Sequence, residues 1–457
     1  MSGPHATNAN MKPLRKGWEW MPLGKYVENH DGRRIPISKR ERESRSGLFP
    51  YYGASGVIDT IDGFTHDGEF LLIGEDGANL LTRSKPLAFL TKGKVWVNNH
   101  AHVLRCKPGY SNAYLAYFIN SIDLSEYVTG TAQPKLSQSM MNKILIPVAP
   151  PEQQVEIVAE LEKQFSRLDE AVANLQRVKA NLKRYKASVF KDAVEGRLVP
   201  TEAELARREG RSFETGEQLL QRILETRHSN WAGRGKFKTP DTPETMGLVE
   251  LPSGWVWASV AQLADVISGL TKNPSRETLP LKLPYLRVAN VYANELRLDD
   301  MAEIGVADNE LQKLLVLKND LLVVEGNGSP DQIGRVAKWD GSIALCVHQN
   351  HLIKVRAIVA EPDWMLNWLI SPGGRKQIER VSSSTTGLHT LSSGKVGRLP
   401  IPLPPVTEQK RIVLEVDRRL SLIRGVESEV DTNLKRAQAL RQSTLGKAFS
   451  LPPIPLQ

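Results

Sequence analysis

Cysteine is nearly missing from this sequence. Only Cys106 and Cys346 occur among 457 residues, and they are not spaced as Cys-x-x-Cys. A disulfide framework needs several cysteines in pairs, and a cysteine-based zinc site needs closely spaced pairs. Neither kind of cross-link is therefore expected.

Long apolar runs are missing as well. No stretch approaches the ~20 consecutive apolar residues that span a bilayer. The N-terminal segment MSGPHATNANMKPLRKGW also lacks the apolar core of a signal peptide. The sequence predicts a cytoplasmic protein without membrane contact.

Familiar catalytic motifs are absent. There is no G-x-x-x-x-G-K-[ST] loop, because the nearest match, GLHTLSSGKV, has the wrong spacing. No G-x-G-x-x-G follows a strand-like run, and no G-x-S-x-G occurs. Asn-Pro-Pro-aromatic, which is typical of enzymes that methylate base amino groups, is absent too. We predict no catalytic site in this chain.

Two histidine pairs are the best candidates for a metal site. His100 and His102 could share one side of a strand, as could His348 and His351. A zinc site needs three or four ligands, and no carboxylate of suitable spacing accompanies either pair. We predict no metal site and interpret the histidines as hydrogen-bonding side chains.

Positive charge is in excess. The 60 Lys and Arg residues outnumber the 51 Asp and Glu residues, giving a formal net charge of +9. Such a surplus favours a polyanionic partner such as nucleic acid, although a generic basic surface is the alternative. The length is too great for one core and predicts two or three domains.

The chain carries its landmarks twice. ILIPVAPPEQQVEIVAELEKQF, which begins at Ile144, aligns with LPIPLPPVTEQKRIVLEVDRRL, which begins at Leu399, at an offset of 255 residues. Three further pairs recur in the same order: KGWEW with SGWVW, VNNHAHVLR with HQNHLIKVR, and TGTAQPKLS with TGLHTLS. Several landmarks in one order predict an internal duplication.

Each copy has the pattern of an α+β block followed by a long helix. Short runs rich in β-branched and aromatic residues, such as EFLLIG and DLLVVEG, predict strands. We predict an α+β fold in which two α/β blocks are joined by two long antiparallel coiled-coil helices, with a pseudo-twofold internal repeat. The expected segments are block one (1–145), a first helix (146–196), a linker with short helices (197–253), block two (254–399) and a second helix (400–457).

The two helical segments carry apolar residues at steps of three and four, which is the pattern of a buried coiled-coil seam. About 44 residues at 1.5 Å each give a rod of roughly 65 Å. The first predicted seam contains Leu161, Phe165, Leu168, Val172, Leu175, Val178, Leu182, Tyr185 and Val189. The second contains Val416, Leu420, Ile423, Val426, Val430, Leu434, Ala437, Leu440 and Thr444.

Side chains suited to nucleic acid are concentrated in a few segments. Lys and Arg neutralise phosphates, Arg also contacts guanine, and Asn and Gln can read adenine. In block one the candidates are Arg33, Arg34, Lys39, Arg40, Arg42, Arg45, Tyr51, Tyr52, Asn98, Asn99, His100, Thr131, Gln133 and Lys135. In block two they are Lys272, Asn273, Arg276, Arg287, Gln349, Asn350, His351 and His389. A solvated charged loop and ordinary turn residues remain the alternatives.

These motifs together resemble one family. The GW-x-W openings, PYYGASGVI, IGEDGA, WVNNHAHVL, the Ile-Pro-x-x-Pro entry into each long helix and KRYKASVFKDAVEGRLVP are similar to the DNA-specificity subunits of type I restriction-modification systems. The likeness covers nearly the whole chain. It implies two target-recognition domains, each of which reads half of a split double-stranded DNA sequence. Because the second block matches the first only in outline, we expect an asymmetric target.

The resemblance also implies partners. The two helices would hold the recognition domains apart and dock methyltransferase (modification) subunits, two per chain, and restriction/translocase subunits would join through the complex. S-adenosylmethionine, ATP and Mg would bind those partners, and none would bind this chain. Two other classes of function stay open: a scaffold whose blocks bind something other than DNA, and a nuclease or methylase with an unrecognised site.

Overall fold

The structure is a computed structural model that describes residues 14–130, 132–231, 235–326, 332–382 and 390–449. The chain divides into two compact units. Unit 1 comprises residues 1–177 and 430–457, and unit 2 comprises residues 178–429. The mixture of helices and sheets confirms the predicted α+β class.

Unit 1 is built from short strands and helices that lead into a long helix. Its strands are β1 (Glu19–Pro22), β2 (Val27–Asn29), β3 (Phe49–Gly53), β4 (Gly56–Ile61), β5 (His66–Asp67), β6 (Phe70–Gly74), β7 (Ala88–Thr91), β8 (Lys94–Val97), β9 (Ala101–Cys106) and β10 (Leu145–Val148). Its helices are α1 (Leu23–Tyr26), α2 (Lys39–Glu43), α3 (Asn79–Thr82), α4 (Asn112–Ser121), α5 (Gln138–Met141) and the first part of α6 (Pro151–Val194).

Unit 2 repeats this plan after two linker helices. The helices are the end of α6, α7 (Glu202–Glu209), α8 (Gly216–Ser229), α9 (Val260–Leu263), α10 (Asp308–Leu314), α11 (Pro362–Ile370), α12 (Pro372–Ser382), α13 (Ser393–Gly397) and the first part of α14 (Val406–Phe449). The strands are β11 (Val256–Ser259), β12 (Ala264–Ser268), β13 (Lys282–Leu286), β14 (Val291–Tyr292), β15 (Glu295–Leu296), β16 (Ala302–Gly305), β17 (Leu321–Val324), β18 (Val336–Lys338), β19 (Val347–His348), β20 (Leu352–Ala357) and β21 (Pro400–Leu403).

The sheets of the two units share one topology. The order β2-β9-β6-β7 in unit 1 matches β12-β20-β17-β18 in unit 2, and β4-β3-β8 matches β16-β13-β19. In the latter sheets β3 and β13 run parallel to β8 and β19, whereas the other pairings are antiparallel. Arg105 on β9 lies opposite Glu28, and Arg356 on β20 lies opposite Asp265, so the arginines that end VNNHAHVLR and HQNHLIKVR occupy equivalent positions.

The Ile-Pro segments form strands before each long helix begins. β10 pairs with β1, where Pro147 lies opposite Trp20, and β21 pairs with β11, where Pro402 lies opposite Trp257. Proline donates no backbone hydrogen bond, and strands at the edge of a sheet tolerate it. The 146–196 segment expected as helix therefore starts as a strand, and α6 begins at Pro151.

Each long helix contributes to both units. In unit 1, Leu161 and Phe165 of α6 pack against Leu445 near the end of α14. In unit 2, Val189 near the end of α6 and Val416 near the start of α14 share one buried cluster. In unit 1 the start of α6 therefore lies with the end of α14, and in unit 2 the end of α6 lies with the start of α14.

The predicted seam is only partly buried in the structure. The interior residues Leu161, Phe165, Val416, Leu420, Ile423 and Val430 are buried, and Leu168, Val172, Leu175, Leu182 and Leu434 are half-buried. In contrast, Val178, Tyr185, Val426 and Leu440 are 40% to 57% exposed and do not belong to the seam. Steps of three and four drift relative to the 3.6-residue turn, so that distant members leave the buried line.

Candidate nucleic-acid interface

One buried glutamine ties each α/β block to its long helix. In unit 1, Gln154 Oε1 accepts hydrogen bonds from Tyr26 Oη (2.9 Å) and Ser111 N (3.1 Å), and its Nε2 donates to Ala149 O (2.7 Å). Every polar atom of the buried amide is thus satisfied, which fixes the start of α4 against the start of α6.

Gln409 repeats this arrangement in unit 2. Its Oε1 accepts from Glu361 N (2.9 Å), which precedes α11, and its Nε2 donates to Pro404 O (2.8 Å). The tryptophans that open the blocks are used alike: Trp18 donates to Gln153 (2.8 Å) and Trp255 donates to Glu408 (3.0 Å). The predicted duplication therefore extends to individual hydrogen bonds.

Three loops meet at one end of the unit 1 sheet, and we call them loop cluster 1 (residues 74–77, 98–101 and 132–136). Glu75 N donates to His100 O (2.8 Å), and Leu136 N donates to Glu75 O (2.8 Å). Gly77 has a φ of +99°, a conformation that favours glycine and that turns the chain away after the strand end. The loops are thus held by backbone bonds whose geometry does not depend on the exposed side chains.

A network of charges underlies loop cluster 1. Glu75 pairs with Arg34 (2.6 Å) and Lys135 (3.2 Å), and His102 Nδ1 lies 2.6 Å from Asp31 Oδ2. Burial opposes the charged form of His102, but the bonds to Asp31 and to the Leu136 carbonyl outweigh it and raise the pKa of His102. Burial likewise opposes ionisation of Glu75, yet the bonds from Arg34 and Lys135 and the nearby His102 lower the pKa of Glu75. The network stabilises the loops from beneath.

Loop cluster 2 (residues 325–326, 349–351 and 390–391) has the same framework in unit 2. Glu325 N donates to His351 O (2.9 Å), and Leu391 N donates to Glu325 O (2.7 Å). Bridges also correspond, because Gly326 pairs with Thr390 as Asp76 pairs with Lys135. The same three connections therefore converge in both units.

The loop clusters gather some of the predicted contact residues and leave others elsewhere. Loop cluster 1 presents Asn99, His100, Gln133 and Lys135 as exposed side chains, and loop cluster 2 presents the exposed His351 with the half-buried Gln349 and Asn350. Exposed Arg33 lies just before Arg34, and Lys39 and Arg40 lie on α2. In unit 2, Asn273 is the N-cap of the 3-10 turn Pro274–Thr278, and Lys272 precedes it. Thr131 and His389 lie outside the described residues.

Several predicted contacts are corrected by their surroundings. Tyr51 is 1% exposed and accepts a hydrogen bond from Ile37 N, and Asn98 is 5% exposed and accepts one from His100 N. Buried groups of this kind cannot reach a duplex, so neither Tyr51 nor Asn98 is a candidate contact.

Three arginines predicted to contact DNA are already engaged within their own block. Arg34 is held by Glu75 and the Ala101 carbonyl, Arg42 by Asp59 and the Ile37 carbonyl, and Arg276 by Glu310 and the Gly305 carbonyl. Each arginine side chain is only about 15% exposed. Its carboxylate partner already neutralises its charge inside the block.

The remaining candidates keep exposed surface. Arg45 pairs with Asp62 and Arg287 pairs with Asp300, both with about a third of the side chain exposed. Such exposed pairs are weak, so either arginine can exchange its partner for a phosphate. Tyr52 is half-buried and stacks on Phe89 with ring centroids 5.8 Å apart.

The sequence pattern did not reveal the carboxylates. Asp31, Glu75, Asp76 and Glu325 position the loops and the histidines, yet a search for cations and amides passes over them. The acidic residues in IGEDGA and VVEG at the strand ends were the available signal.

Within the described residues, no group of three or more His, Cys, Asp or Glu side chains could hold a metal ion. In that same part of the chain, no helix is long and apolar enough to cross a membrane.

The fold and the two loop clusters define a duplicated α+β protein with one polar, exposed loop surface in each copy. Residues 15–183 match the family described as "Type I restriction modification DNA specificity domain". The resemblance to type I specificity subunits is thereby confirmed.

Curated relatives carry the same description. The chain is 37% identical over 145 residues to the "Putative type I restriction enzyme specificity subunit S.HindORF215P" of Haemophilus influenzae, which covers 32% of this chain and 36% of that protein. It is 28% identical over 193 residues to the "Type I restriction enzyme EcoKI specificity subunit" of Escherichia coli, covering 41% and 40%. These matches thus span about two fifths or less of the relatives' length.

A solved structure supports the fold over the full length. A chain from a study described as "Structural basis underlying complex assembly and conformational transition of the type I R-M system" matches with a TM-score of 0.59 and 18% identity, covering 96% of this chain and 99% of that chain. At this identity the likeness shows the fold alone.

Proposed function

We propose that this chain is the non-catalytic DNA-specificity subunit of a type I restriction-modification complex, in which each unit reads one half of a bipartite target in double-stranded DNA. The observation that carries the proposal is the duplication of the loop clusters. Two copies of one backbone framework present polar side chains at equivalent places, some of them the same residue type and others different, as Lys135 and Thr390 are. In this proposal the backbone framework orients the loops, and the exposed side chains read bases.

The differing side chains favour an asymmetric target. Asn99 and His100 correspond to Asn350 and His351, but exposed Lys135 corresponds to Thr390. Base edges in the major groove are distinguished by their pattern of donors and acceptors. Surfaces with different donors and acceptors therefore select different half-sites.

The long helices are proposed to set the gap between half-sites and to dock methyltransferase subunits, two per chain. Exposed apolar residues support docking, because Leu414 and Leu422 in unit 2 are 74% and 61% exposed, and Val155 in unit 1 is 66% exposed. Contiguous exposed apolar patches mark protein contacts, and we propose that docked subunits bury these three positions. S-adenosylmethionine, ATP and Mg would bind the methyltransferase and restriction/translocase partners in this complex, which we place in the cytoplasm.

DNA binding by the chain in complex with its methyltransferase, measured against salt concentration, tests the proposal. Contacts to phosphates release counterions, so that log Kobs falls linearly with log salt at a slope of roughly −0.9 per phosphate. We expect a steep slope and a preference for particular sequences. A protein scaffold would bind the partner equally well but would show neither the salt dependence nor the sequence preference.

A further inference from the structure

Loop cluster 1 and loop cluster 2 each hold one exposed histidine against a carboxylate. His100 Nδ1 lies 2.7 Å from Asp76 Oδ2, and His351 Nδ1 lies 2.9 Å from Glu325 Oε2. The histidine side chains are 50% and 54% exposed. The two pairs thus match in contact atom, in distance and in exposure.

The carboxylates come from different positions in the two units. Glu75 is the backbone equivalent of Glu325, because both bind the carbonyl of the histidine through their N–H. In unit 1, Glu75 is engaged by Arg34 and Lys135, and the next residue, Asp76, holds the histidine instead. In unit 2 glycine occupies the position of Asp76. The histidine–carboxylate contact is therefore retained although its acidic partner has moved by one residue, which points to a use for the oriented ring.

The contact fixes which nitrogen carries the proton. An ionised carboxylate has no proton to give, so Nδ1–H must be the donor. In the neutral ring, Nε2 then presents a lone pair and can only accept a hydrogen bond. In the described residues, Nε2 of neither ring has a hydrogen-bond partner within the protein. With a neutral ring, each loop cluster therefore offers one oriented acceptor at its surface.

An acceptor is poorly matched to phosphate oxygens, which are acceptors themselves. In the major groove the hydrogen-bond donors are the exocyclic amino groups, adenine N6 and cytosine N4, and each base pair has one of them. We propose that His100 and His351 are specificity-determining residues that accept a hydrogen bond from such an amino group in their own half-sites, and that Asp76 and Glu325 are the positioning residues that fix the ring. This inference rests on the proposed function.

Methylation maps of the full chain, co-expressed with its methyltransferase, would locate the contacts. The variants are His100→Ala and His351→Ala, each serving as the matched control for the other. Both side chains are half exposed, so truncation should leave the fold intact. We expect His100→Ala to relax one base pair in one half-site and His351→Ala to relax one base pair in the other. Unchanged motifs in both variants would overturn the inference.

Binding to DNA with a base analogue that lacks the amino group, placed at the relaxed position, tests the chemistry. The wild-type complex should lose about tenfold in affinity, whereas the alanine variant should lose nothing further, because one hydrogen bond has already gone. Asp76→Asn and Glu325→Gln offer Nδ1 either a donor or an acceptor, so both ring tautomers become available and discrimination should weaken without a uniform loss of affinity.

Two results would overturn the inference while leaving the proposed function intact. An alanine variant that binds all sequences more weakly, with a smaller salt slope, would make the histidine a phosphate contact. An analogue that binds as well as the natural base would exclude the amino group. If the wild-type complex shows no sequence-specific methylation, the proposed function itself fails.

Discussion

Unit 1 and unit 2 use one backbone plan with different side-chain connections. In unit 1, Glu75 pairs with the cations, and the next residue, Asp76, pairs with the histidine. In unit 2 Glu325 holds the histidine alone. Because the backbone bonds of the loop clusters are the same, the side chains at these strand ends can change without loss of the framework.

The junctions with the long helices show a second difference. Gln153 in unit 1 accepts one hydrogen bond, from Trp18. At the equivalent position in unit 2, the buried carboxyl of Glu408 accepts from both Trp255 and Glu202 N, and so ties the start of α7 to the start of α14. A duplicated framework thus acquired an additional attachment where the linker helices pack.

The largest expected effect comes from removing the glutamine anchors. Gln154→Leu leaves three partners unsatisfied, Tyr26 Oη, Ser111 N and Ala149 O, whereas Gln409→Leu leaves two, Glu361 N and Pro404 O. Each buried unsatisfied group costs about 1–3 kcal/mol. Local opening free energies from amide hydrogen exchange of the full chain should fall by about 3–5 kcal/mol in α4 for Gln154→Leu and by less in α11 for Gln409→Leu. Equal losses would contradict the difference in partners.

A pH effect should distinguish unit 2 from unit 1. Burial raises the pKa of Glu408 from its ordinary value of 4.5 to about 7. Because the folded state holds this proton more tightly than the unfolded state, its contribution to stability is complete below pH 4.5 and is lost as the pH rises through 7. We expect amide exchange in α7, corrected for the intrinsic rate, to show a loss of at most about 3 kcal/mol between pH 5 and pH 8.

Glu408→Gln serves as the control for this pH effect. The amide does not titrate, so the slope with pH should disappear, whatever the absolute stability of the variant. A slope that persists in Glu408→Gln would assign it to another group. Unit 1 carries Gln153 at this position and should lack the effect around α1 and β1.

Lengthening both long helices should separate reading from spacing. Insertion of four residues after Arg177 in α6 and after Glu429 in α14 adds about 6 Å of helix at the boundary of the units and preserves the contacts within each. If the helices set the gap, the preferred gap should grow by about two base pairs, at 3.4 Å each, while both half-sites stay the same. Methylation mapping of the insertion complex measures both. An unchanged gap would contradict the proposed role of the helices.

The smallest expected effect concerns phosphate contacts. Unit 1 presents exposed Arg33, Lys39 and Arg40, whereas Lys272 is the exposed counterpart in unit 2. Substitution of Arg40 or Lys272 by alanine should weaken binding to all sequences alike and reduce the salt slope by about one. Arg42→Ala is the informative comparison, because its guanidinium is paired with Asp59 and should not contribute to the slope. Selective loss of one base preference in Arg40→Ala would make that residue a base contact.

The sequence predicted the duplication well because the repeat is carried by residues with strong local requirements. The tryptophans, the Ile-Pro segments and the runs that end in Arg105 and Arg356 recur in order, and each proved to occupy an equivalent strand. The short helix patterns of the linker likewise appear as α7 and α8. Local pattern and tertiary position agree where burial demands a particular residue.

Prediction failed where the role of a side chain depends on a distant partner. Arg34 and Arg42 look like free cations in sequence, but Glu75 and Asp59, 41 and 17 residues away, neutralise them. Asp76 and Glu325 were not identified, since a carboxylate close to nucleic acid is unexpected until the histidine it orients is seen. The exposed Val178 and Tyr185 show that a periodic apolar pattern alone does not determine which members are buried.

We propose that two units of one plan read two different half-sites. The decisive measurement is a map of methylated adenines in DNA from cells that express this chain with its methyltransferase. We expect a split, asymmetric motif with a constant unread gap. A continuous motif would contradict it, because one of the two units would then not be reading DNA.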